Sequence, residues 1–370
     1  MVSLRHRFGF LRGLMSGGRA RGLPLYANVD VTHRCNLACA YCRWHSRLLP
    51  ETLLDGGLDL DLSPEAFRRF CEGARGTGTQ TLQFVGAGEP LLHPEIATLV
   101  RTAKEHGYRV LLYSNGTTLD ERSVRMLVEA RLDVLRVTLG DTTSEQFDRK
   151  HPHVKPGLFP RILEGLARVT RVKREAGSAV PRLELGVPID RDLVADLDAI
   201  VGIAASTGCD GLWFSVVLDF GRDELAPFCL GPDEVERACD ALRRARGRIE
   251  RLSLAHNIDD VLVRYRLGKD VWKQAPCYSA WYFAFLRSDG RLTVCQRGQV
   301  PMGDLREQSF GEIWNGEAYR EFRRRALTDP SPPYDCEFCP HAVNNHRVHR
   351  YARLVLPLLG RRRPPAGPGA

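Results

Sequence analysis

The sequence predicts an α/β protein: an open six-stranded partial (β/α)6 barrel, followed by a small module built from a β-hairpin, a helix and cysteines. Three observations lead there. Short aliphatic runs alternate with amphipathic stretches over about the first 245 residues, beyond residue 270 the texture becomes turn-rich, and seven of the eleven cysteines fall into two groups. Strand–helix alternation implies right-handed βα units on a parallel sheet. Six units are too few for a complete eight-fold barrel.

The first strand is expected over Leu25–Thr32, then Thr81–Val85, Arg109–Ser114, Val134–Leu139, Arg182–Val187 and Gly211–Val217. Between them Leu62–Ala74, Pro94–His106, Glu121–Ala130, Pro160–Arg174 and Leu193–Ala205 carry apolar residues at helical spacing. Ser63-Pro64-Glu65 and His93-Pro94-Glu95 mark helix starts, because the first turn has no use for the amide hydrogen that proline lacks. Trp281–Leu286 and Leu292–Val294 flank Ser288-Asp289-Gly290, a hairpin turning on Asp-Gly. Phe310–Leu327 reads as one helix, and Cys336 and Cys339 follow in a proline-rich loop. A module this poor in apolar residues needs a metal to hold it together. The expected divisions are a basic amino-terminal extension (1–24), the partial barrel (25–245), the cysteine module (246–342) and a basic carboxy-terminal tail (343–370).

A hydrophobic share of 43% with 26% charged residues excludes disorder, collagen and coiled coil as overall classes. No apolar run approaches the roughly 20 residues that span a bilayer. Phe8–Met15 is short, broken by Arg12 and followed by Gly17-Gly18-Arg19, unlike a signal peptide. A cytoplasmic location is expected. The net charge of +8 is carried by the ends: five arginines before residue 23 and six after Cys339, with no acid in either stretch, leave −3 for residues 23–339. That acidic body argues against a nucleic-acid partner. His346–Leu359 mixes Arg with Leu, Val and Tyr, a composition that interfacial helices share, but solvated ends are the stronger reading of both tails.

In a reducing compartment clustered cysteines point to metal or redox chemistry rather than disulfides. Directly after the first strand, Cys35-x3-Cys39-x2-Cys42 supplies three thiolates and no fourth ligand. A closed structural zinc site takes four ligands, so this loop suits it poorly. An iron–sulfur cubane with one iron left for an exogenous ligand suits it well.

At these residues the sequence resembles the radical S-adenosylmethionine superfamily, whose three-cysteine loop has an aromatic residue before the last cysteine, here Tyr41. Gly86-Ala87-Gly88-Glu89-Pro90 is similar to the family's Gly-Gly-Glu-Pro segment, with Ala87 in place of its first glycine. The resemblance implies that Gly88 and Glu89 meet the methionyl amine of the cofactor and that Ser114-Asn115-Gly116 lines its site. It further implies Thr138 near the ribose and Arg149 near the cofactor carboxylate. Each motif follows a successive strand, at the end where barrel active sites are built. The family's partial barrel agrees with the architecture counted from periodicity.

Cys277-x17-Cys295-x40-Cys336-x2-Cys339 forms the second group. Four thiolates can close a zinc site or fully ligate a second cubane, and spacing alone does not decide. The module resembles the twitch or SPASM domains of many of these enzymes, also in Met302-Gly303-Asp304-Leu305 and Glu312-Ile313-Trp314-Asn315. With four cysteines rather than about seven it is similar to the single-cluster twitch variant, which implies an auxiliary [4Fe–4S] cluster.

The resemblance implies that S-adenosylmethionine, cleaved at a [4Fe–4S] cluster on Cys35, Cys39 and Cys42, yields a 5′-deoxyadenosyl radical that takes a substrate hydrogen. A flavodoxin- or ferredoxin-like reductant is implied with it. Single-cluster modules of this kind are similar to those of 2-deoxy-scyllo-inosamine dehydrogenase and of aminoglycoside epimerases. The expected reaction is therefore dehydrogenation of a hydroxylated small molecule, an aminocyclitol or sugar, with the electron passed to the auxiliary cluster. The first alternative is epimerisation with Cys229 as hydrogen donor, since Cys229 falls in the loop after the sixth strand; His33, Asp219, Arg222 and Glu224 are candidate bases or substrate ligands. The second is a ribosomal-peptide maturase, for which the 24 residues before the first strand leave no room for a separate peptide-binding domain. A non-catalytic electron carrier would have no use for Glu89 and Asn115.

Overall fold

The computed structural model describes residues 13–358 apart from 15, 17, 50–56, 76–79, 220, 269–273, 297, 299, 329–335, 337 and 338. Residues 1–12 and 359–370, which carry part of both basic ends, lie outside the described residues.

Six parallel strands follow the expected runs: β1 (Tyr26–Asp30), β2 (Thr81–Val85), β3 (Arg109–Ser114), β4 (Val134–Thr138), β5 (Arg182–Ile189) and β6 (Gly211–Val216). A two-residue β7 (Ala255–His256) extends the sheet beyond β6. On the other side of β1 the order continues through β8 (Phe283–Leu286), β9 (Arg291–Thr293) and β10 (Gly303–Asp304). β8 lies parallel to β1, whereas β9 and β10 are antiparallel. The expected hairpin is thus continuous with the barrel sheet.

Helices cover the outer face. Pro64–Ala74, Glu121–Glu129 and Arg191–Ser206 start where Ser63, Asp120 and Asp190 accept from backbone amides of the first turn, satisfying donors that the helix leaves unpaired. Their buried sides, with Phe67, Leu127 and Ile200, join the outward side chains of the strands in one core. Several inward side chains are polar. Asn28, Gln83, Arg136 and Glu184 face a cavity rather than a packed interior.

Three expectations change. Phe310–Leu327 is two helices, Phe310–Trp314 and Glu317–Thr328, because Asn315 at the break turns its side chain to the backbone of Ala20. The last residues of the basic extension are consequently pinned, with Gly22 accepting from the Trp314 indole and Gly18 from Arg323. The first part of the expected tail is a helix, Ala342–Leu358, that buries His349, Ala352 and Leu356.

Candidate active site

β1 ends at Asp30 and delivers the chain into the first cysteine loop. The glycine-rich turn after β2 lies directly on that loop: Gly88 N donates to Thr32 O (3.0 Å) and Glu89 N to Arg34 O (2.7 Å). A Cβ on Gly88 would stand 2.2 Å from the Arg34 carbonyl oxygen, so no other residue permits this approach. Ala87 is accommodated, with its amide on Asp30 Oδ1 (3.1 Å). The buried Glu89 carboxylate accepts from Leu91 N (3.1 Å) and Asn115 N (2.6 Å), which ties the β2 turn to the β3 turn. Burial pushes its carboxyl up to about 7, against the pull of those amides and of Ser114. Asn115 Nδ2 donates to Asn36 Oδ1 (2.9 Å), and Asn36 Nδ2 to Thr117 Oγ1 (2.7 Å). The structure therefore brings Gly88, Glu89, Ser114 and Asn115 together around the cysteine loop.

The three thiols share one environment. Burial pushes Cys35 up to about 11, and burial with the charges of its two neighbours pushes Cys39 well above the ordinary range. Cys42 is raised by burial although Trp44 N and His45 N each stand 3.4 Å from its sulfur. Buried thiols with backbone amides aimed at sulfur are deprotonated when metal supplies the compensating charge. The donor set fits an iron–sulfur cluster.

Tyr41 is half-buried, edge-on to His151 (6.5 Å between ring centres) and Phe228 (6.1 Å). Behind it lies a feature that the motifs do not announce: buried Lys150 pairs with Asp141 (2.8 Å) and Asp190, and its carbonyl accepts from Ala40 N (2.9 Å). Arg149, expected at the cofactor, is instead 60% exposed and paired with Asp192 (2.6 Å). Successive helical residues point about 100° apart, so Ser144–Lys150 can turn only one of the two cations inward. Thr138 sits at the exposed end of β4.

A cavity of about 1370 Å3 runs through the barrel, with side chains from all six strands in its wall. Ala87, His33 and Trp44 border it beside the first cysteine loop, and Cys295 and Cys339 border it on the module side. In its wall Arg136 Nε and Nη2 donate to Glu184 (3.0 and 2.5 Å), Nη1 donates to the Tyr113 hydroxyl (2.7 Å), and Trp213 stacks 4.3 Å from the guanidinium. Cys229 does not line this cavity. It ends the short 3-10 helix Asp223–Phe228, with its thiol 3.8 Å from the Leu225 carbonyl. Of the candidate bases only His33 reaches the cavity, paired with Asp30 (3.3 Å); Asp219, Arg222 and Glu224 lie outside its lining.

The second group converges from three separate places. Cys277 precedes the short helix Ser279–Tyr282, Cys295 follows β9, and Cys336 and Cys339 precede Ala342–Leu358. Burial raises the Cys339 thiol most, and the charges of Cys277, Cys295 and Cys336 raise it further. The Ser279 hydroxyl lies 3.0 Å from Cys277 Sγ. Among the described residues no three His, Cys, Asp or Glu side chains converge as they would on one ion.

Fold and thiol sets together define an iron–sulfur enzyme of the S-adenosylmethionine-dependent kind. The radical SAM superfamily pattern matches residues 29–180, and the SPASM iron–sulfur cluster-binding domain matches residues 277–340. The chain is a radical SAM enzyme with a carboxy-terminal SPASM-type domain, and its cofactors are S-adenosylmethionine and [4Fe–4S] clusters. Among its relatives, a PqqA peptide cyclase of Granulibacter bethesdensis is 25% identical over 330 residues, 85% of this chain and 80% of the relative. A tungsten-containing aldehyde ferredoxin oxidoreductase cofactor-modifying protein of Pyrococcus furiosus is 22% identical over 320 residues, 80% and 83% of the two chains. Streptococcus suis SuiB bound to precursor peptide SuiA has a similar fold (TM-score 0.65, 13% identity, 87% of this chain and 71% of that one). So does anSMEcpe with bound AdoMet (TM-score 0.62, 16% identity, 87% and 88%).

Sequence reasoning missed Lys150, Asp141, Asp190, Arg136, Glu184 and Asn28. One signal was available: Arg136 and Glu184 sit mid-strand in otherwise apolar runs and are register partners across β4 and β5. Charges placed so must face either each other or a cavity.

Proposed function

We propose that the protein oxidatively modifies a peptide, with the barrel cavity as the peptide's binding site. The cavity carries this reading. It extends from the turn that packs on the first cysteine loop to the second group of thiols, and amide side chains of Asn28, Gln83, Gln296 and Asn344 line it. Primary amides both donate and accept, the pattern a peptide backbone needs. A relative named as a peptide cyclase and a fold neighbour seen with its precursor peptide support the same reading. The aminocyclitol or sugar substrate therefore yields to the peptide alternative, and a peptide can enter an open cavity without a separate binding domain. Cys229 is not among the residues that line the cavity, which favours oxidation over the epimerase alternative.

In this reading Cys35, Cys39 and Cys42 hold one cluster, and Cys277, Cys295, Cys336 and Cys339 hold the auxiliary one. Gly88, Glu89, Ser114 and Asn115 bind S-adenosylmethionine, Tyr41 shields the first cluster, and Thr138 stands toward the ribose; Arg149 is left out. When bound, the clusters and S-adenosylmethionine supply one-electron reduction and a hydrogen-abstracting radical. The chain's own part is to position one C–H bond and exclude water. Asn28 and Gln83 orient the peptide, while Arg136, locked by Glu184, Tyr113 and Trp213, forms a rigid wall. A flavodoxin- or ferredoxin-type donor in the cytoplasm provides electrons.

The test is anaerobic turnover of the reconstituted enzyme with a library of short synthetic peptides, and with aminocyclitols as competitors. Loss of two mass units from a peptide is expected. Dehydrogenation of an aminocyclitol with every peptide unchanged would overturn the reading.

A further inference from the structure

Cations buried in this protein have partners that explain them. Lys150 lies between Asp141 and Asp190, and Arg136 is held by Glu184. Arg323 donates to the Ala280 and Gly18 carbonyls, with its guanidinium over the rings of Trp314 and Tyr319. Arg264, half-buried, has no such set of partners. It projects from the helix Ile258–Leu267, where Nη1 donates to Gly268 O (2.6 Å). Its Nη2 is buried with no hydrogen-bond partner, and among the described residues no carboxylate lies within ion-pair distance. Asp259 and Asp260 on the same helix are engaged by Arg246 and Arg347.

What Arg264 does face is the second thiol group. Val263 and Cys339 pack in one cluster with Leu267 and Ala342, which seats this helix against the Cys339 loop. Arg264, Cys295 and Cys339 border the same cavity, and the charge of Cys339 acts on the guanidinium. A cation drawn partly out of water is stabilised by an anion placed beside it. Four thiolates around a cluster are the anion that this site provides.

We propose that Arg264 is a positioning residue of the auxiliary cluster, supplying its counter-charge and setting its reduction potential. A fixed positive charge in a low-dielectric wall favours the reduced, more negative state of the cluster. The cluster is then a better acceptor for an electron leaving the substrate. The inference rests on assigning the auxiliary cluster to Cys277, Cys295, Cys336 and Cys339, and holds whatever the substrate is.

The experiment uses the full chain with Cys35, Cys39 and Cys42 replaced by Ala, reconstituted so that only the auxiliary cluster remains. Its potential is measured by EPR-monitored redox titration with Arg264 intact, as Arg264→Gln and as Arg264→Lys. Arg264→Gln should shift the reduction equilibrium at least tenfold toward the oxidised state, about 59 mV for one electron. Arg264→Lys, which keeps the charge, should restore most of the shift. Loss of iron in Arg264→Gln alone, with Arg264→Lys retaining it, also supports a counter-charge. An unchanged potential in Arg264→Gln, or equal loss in both variants, overturns the proposal. If the parent lacking the first three cysteines holds no iron while the intact chain does, the cluster assignment fails, and this inference with it.

Discussion

The two thiol groups are built in opposite ways. Cys35, Cys39 and Cys42 lie in one loop, gripped by local backbone contacts and by the turns after β2 and β3. Cys277, Cys295 and the Cys336/Cys339 pair come from three places in the chain, brought together by a hairpin joined to β1 and a helix packed behind it. The first set is shaped before any metal arrives, because the barrel's core fixes the turns around it. The second set has an aromatic core of Tyr278, Tyr282, Phe283 and Phe285 behind it, but its ligands arrive from separated segments, so metal binding supplies part of its folding energy. A preformed site can admit and release a cofactor, while a site closed by its own ligands is suited to hold a permanent cluster.

The largest effect expected from breaking this contrast is replacement of Cys35, Cys39 and Cys42 by Ala. Iron should fall from about eight to about four per chain, and reductive cleavage of S-adenosylmethionine to 5′-deoxyadenosine should vanish. The thermal transition should hardly move, since the barrel does not depend on this cluster. Replacing Cys295 and Cys339 instead should lower the melting temperature and loosen the module, visible as faster amide exchange in β8 and β9, while cofactor cleavage persists.

Next in size is Glu184→Ala, which strands the Arg136 guanidinium in the cavity wall. Removing one partner of a buried pair costs about 3–5 kcal/mol, measurable by denaturant titration. Gly88→Ala should cost about 2 kcal/mol from the clash with the Arg34 carbonyl. That is more than tenfold in S-adenosylmethionine affinity, with iron content unchanged. Arg149→Ala should be the smallest. Its ion pair with Asp192 is exposed and screened, so stability should change by less than about 0.5 kcal/mol and cofactor affinity should stay at the wild-type value. Weakened affinity would return Arg149 to the cofactor site.

The same contrast explains what the sequence discloses. The first loop is legible because its spacing is its geometry: three thiols, an aromatic and a glycine-rich turn all act locally. The strands β1–β6 are legible because their outward faces repeat with the core. The Lys150–Asp141–Asp190 cluster is not, since Lys150 ends a helix while Asp141 and Asp190 follow β4 and β5, and the contact exists only once the barrel curls. Ser144–Lys150 escapes a periodicity reading because Phe147 is its one large apolar residue. The helix Ala342–Leu358 reads as a solvated tail because its arginines hide a narrow stripe formed by Asn345, His349, Ala352 and Leu356, which Tyr278 and Tyr282 help to bury. Arg264 carries no local signal either, since its significance lies in the carboxylate it lacks.

One cavity flanked by two cysteine-held iron–sulfur clusters fixes the metal content of the chain. Metal analysis of the anaerobically reconstituted full chain tests it most directly. The account predicts about eight irons and eight inorganic sulfides per chain, with no stoichiometric zinc. About four irons together with one tightly held zinc would contradict it, leaving the second thiol group a purely structural site.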